Sequence, residues 1–252
     1  MTLLKSNPIV LAVIPARYGS TRFPGKPLAP ILDKPMIQWV YERAKTATRI
    51  DDVIVATDDD RIKTAVESFG GKAVMTAPDQ PTGTDRIAEA IKNRAADLVL
   101  NVQGDEPLIP PVVLDRLVED MLESNADMGT VAVPFSATDR DPASPDAVKV
   151  VVDQSGNALY FSRALIPHVR SGGTPVAPLL HWGLYAYRRT FLETFVQWPQ
   201  SPLEKCEMLE QLRALDRGAL IRVLTVAEPV LGVDRPEDIA AVENKLLEEQ
   251  AK

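Results

Sequence analysis

The sequence contains few of the residues on which redox and nucleophilic catalysis usually depend. Its 252 residues include one cysteine, Cys206, and two histidines, His168 and His181. A single cysteine excludes an internal disulfide and a cysteine-based metal cluster, and it favours a reducing compartment. The histidines are too far apart for a helical metal motif, and no serine lies in a nucleophile elbow. We expect Cys206 to be a small buried side chain on a helix.

Positive charge and long apolar runs are also scarce. Lys and Arg number 28 against 35 Asp and Glu, which gives a formal net charge of -7. Such an acidic balance does not favour binding to nucleic acid or to a membrane surface. No run approaches the roughly 18 apolar residues of a membrane span, and the apolar run at 9–14 is followed by Pro-Ala-Arg instead of a signal-peptide cleavage site. These absences predict a cytoplasmic protein with neither nucleic acid nor a membrane as partner.

Short apolar runs alternate with helix-like segments in the first half of the chain. The runs that are typical of strands buried on both faces lie at 9–14, 53–56, 73–75 and 98–102. The segments with helical spacing lie at 36–47, 60–69 and 85–95. Repeats of this kind imply right-handed crossovers, so we predict an α/β fold with a mostly parallel central sheet.

The middle of the chain has a different pattern. Residues 148–152 and 158–161 predict two strands joined by a turn, 181–187 predicts a third strand, and 171–175 predicts an exposed loop. The tail returns to alternation, with a helix at 203–215, a strand at 220–226 and a helix from Pro236 onward. We therefore predict a single domain over residues 1–252 with an antiparallel insertion at about 136–190.

The loop at 16–27 concentrates positive charge directly after the first predicted strand. Ligands bind outside the carboxyl ends of parallel strands, and Arg17 and Lys26 can neutralise phosphate oxygens there. The spacing is not that of a Walker P-loop, because five residues separate the first glycine from the Gly-Lys pair and Pro27 stands where Ser or Thr binds magnesium. Arg22 is a neighbour of these two residues in the loop.

Two acidic positions and one hydroxyl-rich loop allow more than one interpretation. Asp105 follows a buried strand, so its carboxylate is a magnesium ligand, a helix cap or an acid in a turn. Asp234 precedes Pro236, so its carboxylate is either a magnesium ligand or a helix cap. The loop at 81–86 either hydrogen-bonds a nucleobase or caps the next helix through Thr84. Spacing alone leaves these alternatives open.

A set of short segments, distributed in order through most of the chain, carries a family signature. The segments are Ile14-Pro-Ala-Arg-Tyr-Gly-Ser-Thr-Arg-Phe-Pro-Gly-Lys-Pro-Leu28, Ile54-Val-Ala-Thr-Asp58, Thr82-Gly-Thr-Asp-Arg86, Asn101-Val-Gln-Gly-Asp-Glu-Pro107, Ala147-Val-Lys-Val-Val151, Ala158-Leu-Tyr-Phe-Ser-Arg163, Met208-Leu-Glu-Gln-Leu-Arg213 and Gly232-Val-Asp-Arg-Pro-Glu-Asp238. Together they resemble the sugar nucleotidyltransferases, and among them the 3-deoxy-manno-octulosonate (Kdo) cytidylyltransferases.

This resemblance implies a fold, a reaction and partners. The fold is the Rossmann-like three-layer α/β/α nucleotidyltransferase fold. The reaction transfers CMP from CTP to the anomeric hydroxyl of Kdo and releases pyrophosphate, for lipopolysaccharide or capsule assembly. The cofactor is Mg²⁺, the insertion binds sugar and supports dimerisation, and the expected state is a homodimer.

The resemblance also assigns roles to individual residues. The nucleotide is bound by Ala16, Arg17, Ser20, Lys26, Thr82, Gly83, Arg86 and Gln103. Magnesium is bound by Asp105 and Asp234, which form the catalytic group together with Arg17 and Lys26. The sugar is bound by Gln103, Arg163, His181, Tyr185, Glu210 and Gln211. Without the resemblance, Glu210 and Gln211 fit a solvated polar face of the predicted helix at 203–215.

One segment departs from the family pattern. Relatives often have His-x-Ser-Gly-Thr where this chain has Gln80-Pro-Thr-Gly-Thr84. Thr82 keeps a hydroxyl, but Gln80 replaces an imidazole and Pro81 stiffens the approach. The departure leaves room for a related sugar, 8-amino-Kdo. Sialic acid is a further alternative, because the positively charged loop is shared widely among nucleotidyltransferases. The other hypotheses are a nucleotidyltransferase acting on a hexose phosphate and a nucleotide-binding protein without turnover.

Overall fold

The computed structural model describes residues 8–19, 23–227 and 231–251. The described chain forms two compact units: the first unit comprises 8–115 and 231–251, and the second unit comprises 116–227. The predicted single domain with an insertion at about 136–190 stays a prediction. Ser20 and Arg22 lie outside the described residues.

The described strands and helices are numbered along the chain. The strands are β1 (Val10–Ala16), β2 (Pro30–Ile31), β3 (Lys34–Pro35), β4 (Asp52–Thr57), β5 (Ala73–Met75), β6 (Leu98–Asn101), β7 (Met128–Pro134), β8 (Lys149–Val152), β9 (Ala158–Ser162), β10 (Leu179–Arg188) and β11 (Ile221–Thr225). The α-helices are α1 (Met36–Thr46), α2 (Asp60–Ser68), α3 (Gly83–Ile91), α4 (Pro111–Glu123), α5 (Arg189–Phe195), α6 (Pro202–Glu207), α7 (Gln211–Asp216) and α8 (Ile239–Gln250). Short 3-10 helices lie at Lys26–Leu28, Phe135–Ala137 and Pro236–Asp238.

The first unit contains a parallel sheet with the strand order β6-β1-β4-β5. The chain steps outward from β1 to β4 and β5, and then returns to β6 on the other side of β1. Right-handed crossovers therefore place α1 and α2 on one face and α3 on the opposite face. The connections from β1 run to one side of the sheet, whereas β6 lies on the other side of β1. Ligands bind at the carboxyl ends of the strands at such a switch point.

The last described segment, 231–251, belongs to the first unit and packs onto its core. Val242 and Leu246 of α8 lie in one buried cluster with Met36 and Trp39 of α1 and with Val233. Burial of these apolar side chains holds the segment in place. The segment therefore delivers Asp234, which follows Val233, to the first unit.

The second unit is largely antiparallel. β7 pairs in parallel with β11 and antiparallel with β10, and β8 pairs antiparallel with both β10 and β9. Between the pairs of Trp182 with Val131 and Tyr185 with Thr130, β10 advances three residues while β7 advances one. The predicted α/β class, with mostly parallel strands and an antiparallel part, is confirmed.

The predicted helix at 203–215 is wrong, because the structure has two helices there. Met208 adopts the left-handed conformation, with φ 53°, and ends α6 before α7 begins. Glu204 and Arg213 form an ion pair whose side chains are each 5% exposed, and a buried pair between two helices has no periodic sequence signal. Cys206 is exposed, which contradicts its predicted burial. Among the described residues, no helix is long and apolar enough to cross a membrane.

Candidate active site

A cavity of about 370 Å³ opens in the first unit at the carboxyl ends of β1 and β6. Its lining combines the positively charged loop, the start of α3, the turn after β6 and the segment before α8. The lining residues are Pro15, Ala16, Arg17, Lys26, Pro27, Gln80, Pro81, Thr82, Gly83, Arg86, Gln103, Gly104, Asp105 and Asp234. Every predicted nucleotide-binding or magnesium-binding residue that the structure describes is among them.

Lys26 and Asp105 are in direct contact in this cavity. The Lys26 ammonium donates hydrogen bonds to Asp105 Oδ2 at 2.6 Å and to the carbonyl oxygen of Val233 at 2.9 Å. The two side chains are 16% and 35% exposed, so a ligand can reach both. The carboxylate of Asp105 therefore binds a lysine ammonium. This contact explains its position without the interpretation as a helix cap.

The turn that presents Lys26 depends on a glycine and on a stacked tyrosine. Gly25 has φ 71° and begins the 3-10 helix Lys26–Leu28, and its N–H donates to the Tyr18 carbonyl at 2.9 Å. A Cβ at Gly25 would lie 3.1 Å from the Tyr18 ring. The Arg61 guanidinium covers that ring at 3.3 Å and is held by Asp59. This hydrogen bond from Arg61 lowers the pKa of the Asp59 carboxyl.

Asp234 does not cap the final helical segment. The backbone N–H groups of Asp234 and Arg235 both donate to Asp238 Oδ2 at 2.8 Å. Asp238 therefore satisfies the donors of this turn, and the interpretation of Asp234 as their acceptor is wrong. The side chain of Asp234 lines the cavity.

Helix α3 begins at the cavity wall, and its cap is Thr82. The Thr82 hydroxyl accepts from the Asp85 N–H at 3.1 Å, and the Thr82 N–H donates to Asp85 Oδ2 at 3.1 Å, which forms a capping box. The expectation that Thr84 caps the helix is therefore wrong. The first N–H groups of the helix lie at the cavity edge beside Gly83, where the helix dipole favours acceptor groups.

Arg86 and Gln103 are fixed by protein partners at the same edge. Arg86 is 4% exposed and donates to Asp58 Oδ2 at 2.9 Å and to the Thr76 hydroxyl. It thereby ties the ends of β4 and β5 to α3. The Gln103 amide donates to Asn101 Oδ1 at 3.0 Å, which sets the direction of its carbonyl.

The residues present fit a magnesium ion. Mg²⁺ prefers carboxylate and phosphate oxygens, and it keeps part of its shell for water or substrate. Asp105 and Asp234 supply two carboxylates to one cavity. Among the described residues, no group of three His, Cys, Asp or Glu side chains converges to hold a metal ion without other ligands. The donor set therefore suits a cation that arrives with a phosphate ligand.

The predicted sugar-binding residues other than Gln103 lie in the second unit. His181 and Tyr185 of β10 have ring centroids 5.5 Å apart, and the Tyr185 hydroxyl donates to Gln211 Oε1 at 3.3 Å. Gln211 is 3% exposed, and its buried Nε2 has no hydrogen-bond partner among the described residues. The alternative of a solvated polar face is therefore wrong for Gln211.

Arg163 and Glu210 are each held by partners within the second unit. Arg163 Nε donates to the Glu207 carbonyl oxygen at 2.7 Å and its backbone N–H donates to the Glu207 carboxylate at 2.9 Å. Glu210 pairs with Arg213 at 3.4 Å. Sequence reasoning missed Lys149, which is fully buried and donates to the carbonyl oxygens of Ser144 and Arg163. The sequence signal that could have pointed to Lys149 is a lysine within the otherwise apolar predicted strand at 148–152.

Burial changes the protonation of the aromatic pair in β10. Withdrawal from water lowers the pKa of His181 to about 3 and raises the pKa of the Tyr185 hydroxyl. Both side chains are therefore neutral near pH 7. They offer hydrogen bonds to a ligand rather than charge.

One family and several known proteins are similar to this chain. The sequence model of the family Cytidylyltransferase matches residues 11–221. The 3-deoxy-manno-octulosonate cytidylyltransferase of Vibrio parahaemolyticus is 51% identical over 240 residues, which cover 91% of this chain and 95% of that protein. The enzyme of the same name from Myxococcus xanthus is 52% identical over 234 residues, which cover 92% and 94%. A solved CMP:2-keto-3-deoxy-manno-octonic acid synthetase complexed with CTP has a TM-score of 0.90 and 44% identity, covering 96% of this chain and 99% of that chain.

Proposed function

This chain belongs to the cytidylyltransferase family, and we propose that it transfers CMP from CTP to Kdo, giving CMP-Kdo and pyrophosphate. The sequence resemblance to this family is confirmed. The observation that carries the proposal is the cavity in which Lys26 and Arg17 lie beside the carboxylates of Asp105 and Asp234. Positive groups for a triphosphate and oxygen ligands for a cation thus line one cavity.

Arg17 and Lys26 neutralise and orient the triphosphate. The reaction is an in-line attack of a sugar hydroxyl on the α-phosphorus, which needs positioning and charge stabilisation rather than a protein nucleophile. Arg17 is exposed at the cavity, so its guanidinium can follow the phosphate oxygens. Lys26 is fixed by Gly25 and by the Val233 carbonyl, so its charge has a defined position.

Asp105 and Asp234 hold Mg²⁺ in this proposal. When bound, the ion supplies charge that stabilises the phosphate oxygens and the leaving pyrophosphate. The two aspartates determine where that charge lies, and Lys26 balances the carboxylate of Asp105 at 2.6 Å. Addition of a chelator to the assay is expected to abolish pyrophosphate release, and addition of Mg²⁺ is expected to restore it.

The start of α3 and Gln103 select cytosine. The Thr82 cap and Arg86 fix the first turn of the helix at the cavity edge, so backbone donors beside Gly83 meet the base in a constant position. Gln103 adds an amide that Asn101 orients. Ser20 is also proposed to bind the nucleotide, and it lies outside the described part of the chain.

The second unit binds the sugar acid. Gln211 offers a buried amide donor, and Tyr185 and His181 offer neutral polar groups within the same cluster. An unpaired buried donor carries a penalty of about 1–3 kcal/mol, which a matching ligand hydroxyl or carboxylate relieves. Arg163 and Glu210 complete the set of proposed sugar contacts.

Pyrophosphate release measures this function directly. The purified chain is incubated with CTP, Mg²⁺ and one acceptor at a time: Kdo, 8-amino-Kdo, sialic acid or a hexose 1-phosphate. We expect Kdo to give the highest kcat/KM. Preference for 8-amino-Kdo or sialic acid would change the sugar and keep the reaction, whereas preference for the hexose phosphate, or CTP binding without turnover, would refute the proposal.

We also propose a cytoplasmic homodimer that supplies lipopolysaccharide or capsule assembly. The exposed apolar side chains Leu159, Leu165 and Val176 support an interface, since they are 61%, 53% and 64% exposed within the predicted insertion. Sedimentation equilibrium separates the alternatives, because the monomer mass is 27.6 kDa. A monomer at micromolar concentration would contradict the dimer without affecting the proposed reaction.

A further inference from the structure

Thr130 is a fully buried hydroxyl behind the proposed sugar-binding histidine. It lies on β7 at 0% exposure, and nothing in the sequence assigned it a role. Its Oγ1 is surrounded by three polar atoms of β10: His181 Nε2 at 2.9 Å, the Leu184 carbonyl oxygen at 2.8 Å and the Trp182 carbonyl oxygen at 3.2 Å.

The irregular pairing of β7 and β10 creates this arrangement. β10 contains two extra residues, Gly183 and Leu184, between its pairs with Val131 and Thr130. The extra length turns the carbonyl groups of Trp182 and Leu184, which are two residues apart, toward one threonine; a regular antiparallel ladder does not do this. The side chain of Thr130 fills the position where these groups converge.

The direction of each hydrogen bond follows from a count of protons. A hydroxyl has one proton, and a carbonyl oxygen can only accept. With the Leu184 oxygen at 2.8 Å, the Thr130 proton points to a carbonyl, because two oxygens at that distance without a proton would repel each other. Thr130 Oγ1 can then only accept from His181, so the ring proton of His181 lies on Nε2.

The other ring nitrogen is thereby left as an acceptor. Nδ1 of His181 makes no hydrogen bond to the residues that the structure describes, and the residue as a whole is only partly buried. The rings of Phe161 and Tyr185 flank the imidazole at centroid distances of 4.9 and 5.5 Å and hold its plane. Withdrawal from water also keeps the ring neutral.

We propose that Thr130 is a positioning residue that fixes His181 as the Nε2–H tautomer, so that Nδ1 accepts a hydrogen bond from a hydroxyl of the sugar acid. This inference rests on the proposed function for the identity of the ligand, but not for the tautomer. It assigns His181 to a hydroxyl and excludes it as a partner of the sugar carboxylate. A carboxylate needs a donor, and the only ring donor is already bound to Thr130.

The tautomer can be measured in the wild-type protein by NMR. The chain contains two histidines, so histidine labelled with ¹⁵N in the ring gives two sets of signals, and His168→Gln identifies those of His181. We expect a neutral ring with the proton on Nε2 at pH 7.5, with and without CTP. An Nδ1–H ring or an imidazolium would overturn the proposal, whatever reaction the enzyme catalyses.

Kinetics of Thr130 variants test the consequence for the sugar. Thr130→Val keeps the shape but removes the hydroxyl, and we expect the KM for Kdo to rise about tenfold, since one hydrogen bond of this kind is worth roughly 1 kcal/mol or slightly more. The KM for CTP is expected to stay within twofold, and Thr130→Ser is expected to restore both the tautomer and the KM for Kdo. If Thr130→Val instead keeps the wild-type KM for Kdo, or raises both KM values equally, the positioning role is wrong. If Thr130→Val does not fold, Thr130→Ser and the wild-type spectrum still decide.

Discussion

Lys26 joins residues that lie far apart in the sequence. Its ammonium binds the Asp105 carboxylate and the Val233 carbonyl, and so it holds the turn after β6 and the segment before α8 in one place. The pair is partly exposed, so its contribution to folding is small, typically about 0–1 kcal/mol for such ion pairs. Its value therefore lies in positioning charge at the cavity rather than in stability.

Asp105→Asn is expected to lower kcat by about 100-fold or more, because it removes a preorganised charge that acts on the transition state. The free energy of unfolding should change by less than about 1 kcal/mol, since the amide keeps the shape and the ion pair is partly exposed. Pyrophosphate release and urea denaturation measure the two effects. Asp33→Asn, at an exposed position that does not line the cavity, is the matched control. Wild-type turnover in Asp105→Asn would remove Asp105 from the mechanism.

His181 is expected to make stability depend on pH. Its pKa is about 3 in the folded chain and 6.5 in the reference state, so between these values the unfolded chain binds a proton that the folded chain does not. The free energy of unfolding therefore falls as the pH is lowered through this window, and the contribution is complete above pH 6.5. Urea unfolding at pH 5 and 7.5 should show a smaller loss for His181→Gln than for the wild type. The exposed control His168→Gln should retain the wild-type loss; equal losses in all three proteins would contradict the assignment.

At the scale of elements, the break between α6 and α7 determines where Gln211 lies. Met208 takes a left-handed conformation and is 74% exposed, so α7 starts in a new direction just before Gln211. The paired Arg213 and Glu204 then fix α7 against α6 through two short hydrogen bonds, at 2.8 and 2.6 Å. A continuous helix would not have allowed this contact between residues nine positions apart.

Met208→Gly is expected to stabilise the protein by about 0.5–1 kcal/mol, because glycine has no Cβ penalty in the left-handed region and loses only part of that gain through its freer unfolded state. Lys205→Gly is the control within α6, where backbone dihedrals are helical and glycine should destabilise by about 1 kcal/mol. Urea denaturation measures both. A loss of stability in Met208→Gly would show that the side chain contributes contacts that outweigh the strain.

The parallel part of the fold was predictable because its signals are local. β1, β4, β5 and β6 are short apolar runs, and each of the four begins or ends within two residues of its predicted bounds. No element was predicted at 111–134, where the structure has α4 and β7. The latter is apolar but pairs with residues more than 40 positions away. Long-range strand pairing of this kind has no short sequence pattern. The same holds for a buried ion pair such as that of Glu204 with Arg213.

The site was predictable where a strand end supplies the residue, and unpredictable where the partner is distant. Arg17, Lys26 and Asp105 follow directly from the rule that ligands bind at the carboxyl ends of parallel strands. The contact of Lys26 with Val233 spans 207 positions, and the environment of Thr130 depends on two extra residues in another strand. Only the folded chain reveals these.

At the scale of the whole molecule, the positive charge at the cavity contrasts with a negative net charge. The chain has a formal net charge of -7, which by itself repels a nucleoside triphosphate. Arg17 and Lys26 are therefore a local exception that attracts the ligand within about one Debye length, roughly 10 Å at 0.1 M salt. The affinity for CTP should depend on this pair more than on the total charge.

Arg17→Gln is expected to raise the KM for CTP about tenfold or more, since a hydrogen bond to a charged group contributes about 1.5–3 kcal/mol. The increase of this KM with salt should also become weaker, because one of the screened charges is gone. Assays from low to high salt measure both effects. Lys245→Gln changes the net charge equally at an exposed position of α8 and should leave the KM for CTP unchanged; an equal effect of both variants would point to net charge instead of the local pair.

The contribution of the segment 231–251 to the first unit sets an order of events during protein synthesis. The Val233 carbonyl that holds Lys26 and the Asp234 carboxylate that lines the cavity are made after every other residue of the cavity lining. A ribosome-bound chain that still lacks this segment has β1, α3 and β6 but not the full set of oxygen atoms around Lys26. Turnover therefore has to wait until residues 231–251 have been made, and a chain truncated after 230 should be inactive even where its parallel sheet has already formed.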